Sequence, residues 1–241
     1  MSFTERAIRG QQNVLDRSLC EQSIIAASAN KVPDFNKDTC KPNRVNLTKD
    51  YIIKKYDLND DASNREIDPL VKKEIAELMF DCWKMVGEGE LHPYNPAELR
   101  TNEFWPCLLY DYNFICSIVS FEDIEPVKGF TLWTTNHRPP KSEETYYEFF
   151  WKRTPTPEDI EDFEKNATNP EYFFDTSKEY AVVWKDLYWV DFNRLTDFNI
   201  LNMIYSVNRI PRPEEFLSFV VFVPYSEIVQ PDEGWCMFIM N

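Results

Sequence analysis

The residues of this 241-residue chain best suited to chemistry are its six cysteines, Cys20, Cys40, Cys82, Cys107, Cys116 and Cys236. They are spread along the chain with no C-x-x-C pair, a poor spacing for zinc and a fair one for disulfides. Burial as free thiols is the competing reading, since cysteine behaves as a small hydrophobe. Composition alone leaves the two open. The sequons Asn46-Leu47-Thr48 and Asn166-Ala167-Thr168 make Asn46 and Asn166 glycosylation candidates and point to the same oxidising setting, although such triplets also arise by chance.

Only two histidines are present, His92 and His137. A hydrolase would pair a Cys or Ser nucleophile with one of them as base and with an acid such as Glu90 as orienter. His92 is the weak catalytic candidate, lying between Leu91 and Pro93 in a Gly-containing loop, where a surface histidine is the default. His137 sits beside Arg138-Pro139-Pro140 and carries the same default. Cys82 is the weakest nucleophile, because an apolar helix face keeps a thiol neutral. With 41 acidic residues, pairs such as Glu88/Glu90 or Asp159/Asp162 follow from number, so a glycosidase pair is not assigned. The run Glu158-Asp159-Ile160-Glu161-Asp162 reads as a solvated helix face. Asn59-Asp60-Asp61 lacks a calcium-loop pattern, so no metal ligand is assigned.

Lys plus Arg number 26 against 41 Asp plus Glu, a net charge of -15 that opposes phosphate binding, and no nucleic-acid partner is expected. The five glycines form neither G-x-G-x-x-G nor a Walker loop, and no cofactor is expected. A chain that is 43% hydrophobic and 15% aromatic is too rich in core-formers to be disordered. Trp83, Trp184 and Phe222 are expected in the core. Trp105, Trp133 and Trp151 lie at element ends, where exposure is commoner, although core remains the favoured reading for them too.

Periodicity supplies the elements that must position these groups. Residues 4 to about 29 read as a helix, and Val32 to Pro42 breaks it. Val45 to Ile53 alternates as a first strand, followed by a polar loop over Asp57 to Asn64. Asp68 as N-cap and Pro69 at the first helical position open a long amphipathic helix, about 69–86, whose apolar face only Glu74 interrupts. Gly87 supplies its stop. Cys107 to Phe121 reads as a strand or a hairpin around Asp111-Tyr112-Asn113, and Gly129 to Thr135 as a further strand. Thr145 to Trp151 reads as a short aromatic helix or edge segment, and Thr156-Pro157-Glu158 opens an acidic helix. Tyr180 to Trp184 and Phe216 to Val223 read as strands, a helix is expected around Leu195 to Tyr205, and Trp235 to Met240 reads as a last strand. This order gives an α+β fold: one compact domain over residues 32–241 with a mainly antiparallel sheet, preceded by an N-terminal helical arm over 1–31. No stretch approaches a membrane span. Met1 to Arg6 lacks the apolar region of a secretory signal, so export would require a leader or anchor outside these residues.

The segment Asp81-Cys82-Trp83-Lys84-Met85-Val86-Gly87-Glu88-Gly89 resembles a CWxMxGEG signature. Cys116-Ser117-Ile118-Val119-Ser120-Phe121, Thr145-Tyr146-Tyr147 and Asp175 to Val183 follow in the order of the same family. Cys20-Glu21-Gln22-Ser23 with Cys40 is similar to its first cysteine pair, and Cys236 to its last cysteine. The family comprises uncharacterised archaeal proteins with one N-terminal transmembrane helix and a cysteine-bearing extracytoplasmic domain. The resemblance spans most of residues 18 to 239 and implies an oxidising compartment and disulfides, but no reaction. The expected membrane span before Cys20 is missing, and Cys107 and Cys116 stand farther apart than the family's close pair.

The reading that follows is a non-enzymatic extracytoplasmic or cell-surface domain acting in protein–protein contact or surface assembly. Its partners would be other proteins, among them membrane-anchored or surface components. Cys20 and Cys40 bound one short N-terminal loop and are expected to form a bridge, while the other four cysteines allow three pairings. The alternatives are a small hydrolase centred on His92 and an acidic inhibitor mimicking nucleic acid; the latter expects six free thiols in a cytoplasmic protein.

Overall fold

The computed structural model describes residues 18–26, 40–89, 111–151, 153–187, 217–229 and 237–239. The α+β expectation holds. A helix over residues 18–26 (α1) precedes β1 (Asn43–Thr48), α2 (Lys49–Lys55) and the long α3 (Asn64–Met85). Strand β2 (Asp111–Glu122) leads to three helices, α4 (Phe130–Asn136), α5 (Tyr146–Trp151) and α6 (Pro157–Asn166). Strands β3 (Tyr180–Leu187) and β4 (Leu217–Pro224), a short α7 (Tyr225–Val229) and β5 (Met237–Ile239) complete the described elements. The sheet runs β1-β2-β3-β4. The two longest ladders, β2–β3 and β3–β4, are antiparallel, whereas β1 and β5 pair in parallel with successive stretches of β2. The sheet is therefore mixed along β2.

Strand β2 carries the feature that sets the core. Ile115 pairs with Val183 and Ser117 with Val182, so Cys116 is an extra residue, a bulge. A bulge reverses the alternation of a strand. Phe114 and Cys116 face the main core before it, and Val119 with Phe121 does so after it. Ile115 and Ile118 face the opposite side, where they pack with Ala181, Val183 and Ile228 of α7.

Helix α3 fills the main core. Ile67, Val71, Ile75, Met79, Cys82 and Trp83 recur at helical spacing and are all buried. Phe80 lies against α5, with ring centroids 4.6 Å from Phe149 and 6.3 Å from Tyr146. The expected start at Asp68 is corrected. Ser63 is the N-cap, and its reciprocal bonds with Glu66 form a capping box; Pro69 lies inside the helix. Its missing N–H leaves the Arg65 carbonyl without the usual helical donor. Burial of the flanking apolar residues outweighs that loss.

Two further expectations change for local reasons, and the strand-or-hairpin alternative resolves as a strand from Asp111. Tyr51 to Ile53 are helical, because the Thr48 hydroxyl accepts from the Tyr51 N–H and caps α2, leaving Ile52 and Ile53 buried side by side. Asp111-Tyr112-Asn113 forms no hairpin turn; it runs straight along β2 opposite Leu187, Asp186 and Lys185. Residues 130–136 form α4 rather than a strand, and the Trp133 N–H donates to the Gly129 carbonyl. The aromatic segment from Thr145 resolves as the helix α5. The acidic helix α6 opens as expected, with Thr156 and Asp159 forming a second capping box. The helix expected around Leu195 to Tyr205, and most of the N-terminal arm, lie outside the described residues.

Gly129 holds φ at +58°, and a Cβ there would stand 2.8 Å from the Ala167 Cβ at the end of α6. Both strain and contact require glycine. Gly129→Ala is expected to cost about 1–3 kcal/mol in urea unfolding. Ala167→Gly in that background should recover only the steric part, and an unchanged midpoint for Gly129→Ala would contradict this account.

Candidate functional site

Two disulfides occur among the described residues. Cys20–Cys40, with Cα atoms 4.8 Å apart, ties α1 to the entry of β1, as the common loop suggested. Cys82–Cys116, with Cα atoms 5.6 Å apart, joins α3 to the bulge of β2. This second pairing was one of three that spacing could not rank. All four cysteines are buried. With its sulfur in a disulfide, Cys82 cannot serve as a thiolate nucleophile.

The most developed polar cluster was not foreseen, and it centres on Glu74. Its carboxylate is buried on α3. The Tyr56 hydroxyl donates to Oε1 at 2.7 Å and the Tyr51 hydroxyl to Oε2 at 3.2 Å. The Lys55 Nζ lies 2.6 Å from Oε1. Helix α2 provides this set because Tyr51 and Lys55 are four residues apart and share one face. Burial opposes the Lys55 charge, but the Glu74 carboxylate and the Tyr51 hydroxyl outweigh it and raise the ammonium's pKa. Burial, reinforced by hydrogen bonding to Glu74, holds Tyr56 far above the usual phenol range. Glu77 is also raised, by burial and then by the nearby Glu74 charge. A carboxylate carrying an ammonium and two phenols has its acceptor sites largely occupied. The cluster fastens α2 to α3. Its signal in the sequence was Glu74 itself, an acid on an apolar stripe that needs buried partners.

An aromatic seam runs from the sheet to the helices. The Tyr180 and Phe222 rings stack at 4.9 Å and meet Phe174, which reaches Phe130 at 5.3 Å. Trp133 continues the seam, between Tyr146 at 5.8 Å and His137 at 4.0 Å. His137 caps α4, and its Nδ1 lies 2.8 Å from the Trp133 carbonyl. That contact and the stacking give this histidine a structural role. Trp83, Trp184 and Phe222 are buried as expected, and Trp133 and Trp151 are partly buried against the same core.

The remaining candidates do not converge. Asn46 is exposed on β1, accepting from the Ser120 hydroxyl and donating to Glu122. Asn166 is the last residue of α6. Along the acidic run, Glu161 and Asp162 pair with Lys165 on an exposed face. Asp159 instead caps α6 and takes two hydrogen bonds from Arg153, at 2.6 and 3.2 Å. Arg153 first, and then the Thr156 backbone and hydroxyl, hold the Asp159 carboxyl at about 2. A cleft of about 210 Å³ beside the start of α3 is lined by Arg65, Asp68, Glu125 and Lys128, without histidine or cysteine. Among the described residues no group of three or more His, Cys, Asp or Glu could hold a metal ion, and no helix is long and apolar enough to cross a membrane. His92, Glu90, Cys107, Cys236 and Trp105 lie outside the described residues.

With this geometry in hand, comparison with known protein families, characterised proteins and solved structures finds no match.

Two expectations follow. In a double-mutant cycle, Lys55→Met is expected to cost about 1–3 kcal/mol by leaving Glu74 under-compensated, and less in a Glu74→Leu background. Additive losses would show that the pair is uncoupled. Asp159 has a folded pKa below its ordinary value, so its contribution is present above about pH 4 and is lost as pH falls towards 2. The stability gap between wild type and Asp159→Asn should therefore shrink over that window. A gap that stays constant would count against the Arg153 pairing.

Proposed function

We propose that the chain is a non-enzymatic extracytoplasmic domain that acts by contact with another protein in a surface assembly. The observation carrying this reading is the pair of buried disulfides, one on the N-terminal helix and one at the centre of the core. Structural disulfides persist in oxidising compartments and are rare where thiol reductants hold cysteines reduced. The acidic-inhibitor alternative expects six free thiols, and four of the six cysteines are bridged in the structure.

The contact surface in this reading includes α1. Cys20 and Ile24 are buried, while Leu19 and Ile25 are 49% and 47% exposed on the same short helix. The Cys20–Cys40 bridge fixes this helix to the domain without using its outer residues. The partner is a protein surface with apolar side chains for Leu19 and Ile25 and basic groups around them, because the chain carries a net charge of -15.

A photo-crosslinking residue at Leu19, introduced in the native cells, should yield a discrete adduct with an envelope protein. The same residue at Asp50, exposed on α2, should not. Alkylation of intact cells should leave Cys20, Cys40, Cys82 and Cys116 unlabelled until reductant is added. Labelling of all four without reductant would overturn the compartment, and no adduct at Leu19 would overturn the contact surface.

A further inference from the structure

Asn46-Leu47-Thr48 and Asn166-Ala167-Thr168 both fit the acceptor triplet for an N-linked glycan. The triplet itself cannot choose between them, but the backbone and its hydrogen bonds can. We propose that Asn46 carries an N-linked glycan and that Asn166 does not. The proposal rests on the extracytoplasmic reading above, because this modification belongs to exported chains.

A glycan is bulky and must leave the protein into solvent. Among the described residues β1 pairs only with β2, so it forms one edge of the sheet. Leu47 is buried in the main core and Val45 packs against it, so alternation turns Asn46, between them, to the other face. There Asn46 is exposed on a polar rim. Ser120 lies opposite it, Glu122 lies opposite Thr48, and Arg44 pairs with Glu179. Helix α1 packs on the main-core side through Cys20 and Ile24. A glycan on Asn46 therefore projects from the other side of the sheet and leaves Leu19 and Ile25 uncovered.

The Asn46 carboxamide is also held in a way that survives the modification. Its Oδ1 accepts from the Ser120 hydroxyl at 3.1 Å, and its Nδ2 donates to Glu122 at 3.3 Å. A primary amide has two N–H groups, and these contacts use one of them. Replacing the other hydrogen with a sugar keeps both contacts and fixes the direction of the first sugar. The Thr48 hydroxyl accepts from the Tyr51 N–H, a bond that does not use its own proton. The whole triplet is thus extended, with its amide in solvent.

Asn166 is placed differently. It ends α6, and Ala167 continues the helical winding with φ -62° and ψ -18°. The Thr168 hydroxyl donates to the Lys165 carbonyl at 3.0 Å, and the Asn169 N–H donates to the Asn166 carbonyl. Asn166 is half-buried, and Ala167 packs against Gly129. A transferase must reach the amide and read the hydroxyl two residues on, and here the triplet is coiled with that hydroxyl engaged.

The donor is a lipid-linked glycosyl phosphate. The bond from the sugar's anomeric carbon to the phosphate oxygen breaks, and that carbon bonds to Nδ2. The amide gives up one proton, and the lipid phosphate leaves with the bonding electron pair. Nothing is oxidised or reduced.

Mass spectrometry of peptides from the protein isolated from its native cells tests this. The peptide containing Asn46 should be heavier by whole sugar residues, and the one containing Asn166 should have its unmodified mass. Asn46→Gln should abolish the added mass of the intact protein, and Asn166→Gln should leave it unchanged. A bare Asn46 with Cys20–Cys40 and Cys82–Cys116 bridged would overturn this inference alone. A bare Asn46 with those four cysteines reduced would overturn the compartment reading as well. A glycan on Asn166 would overturn the choice between the two sites.

Discussion

The bridge between Cys82 and the Cys116 bulge is the constraint on which the rest of the fold depends. A strand without a bulge would present Phe114, Cys116, Ile118 and Ser120 to one face. The extra residue turns the second half of β2 over, so that Val119 and Phe121 join the main core and Ile118 joins the opposite face. The disulfide then fixes the turn of α3 that carries Trp83 against that point. The alternation of β3, with Tyr180, Val182 and Trp184 inward and Ala181 and Val183 outward, follows from the register so set. Stiff, tightly packed interiors accept few other arrangements once one such point is pinned.

Around this core, polar pairs do different amounts of work according to burial. The Glu74 cluster removes a carboxylate from water and offsets that cost with an ammonium and two phenols; its main consequence is positional, holding α2 in one orientation on α3. Arg153 and Asp159 do the same at the start of α6, with Arg153 also lying over the Tyr147 ring. The Lys165 pairs on the outer face of α6 are highly exposed and contribute little beyond local helix support.

Local rules explain which elements could be read in advance. The spacing of Val71, Ile75, Met79 and Cys82 identified α3, and Thr156-Pro157-Glu158 identified the start of α6, because both signals sit within one or two turns of chain. Pro69 misplaced the start of α3, since a proline suits a first turn and the Ser63–Glu66 box lies one turn earlier. Val45 to Ile53 looked like one strand because apolar residues alternate through Leu47, and the cap at Thr48 that ends the strand is set by a single hydroxyl. That misreading also hid the cluster, since Tyr51 and Lys55 share a face only on a helix. The partner of Cys82 and the parallel edges of β2 depend on contacts across dozens of residues, which periodicity does not encode.

The Cys82–Cys116 bridge holds α3 to β2, beyond merely occupying core volume. Urea unfolding of the Cys82→Ala/Cys116→Ala variant beside wild type, both without reductant, tests this most directly. The bridge closes a sequence separation of 34 residues, and the account predicts a loss of about 2–4 kcal/mol in the variant with its secondary structure retained. Equal unfolding free energies would show that the bridge does not hold the core, and the central claim would fail.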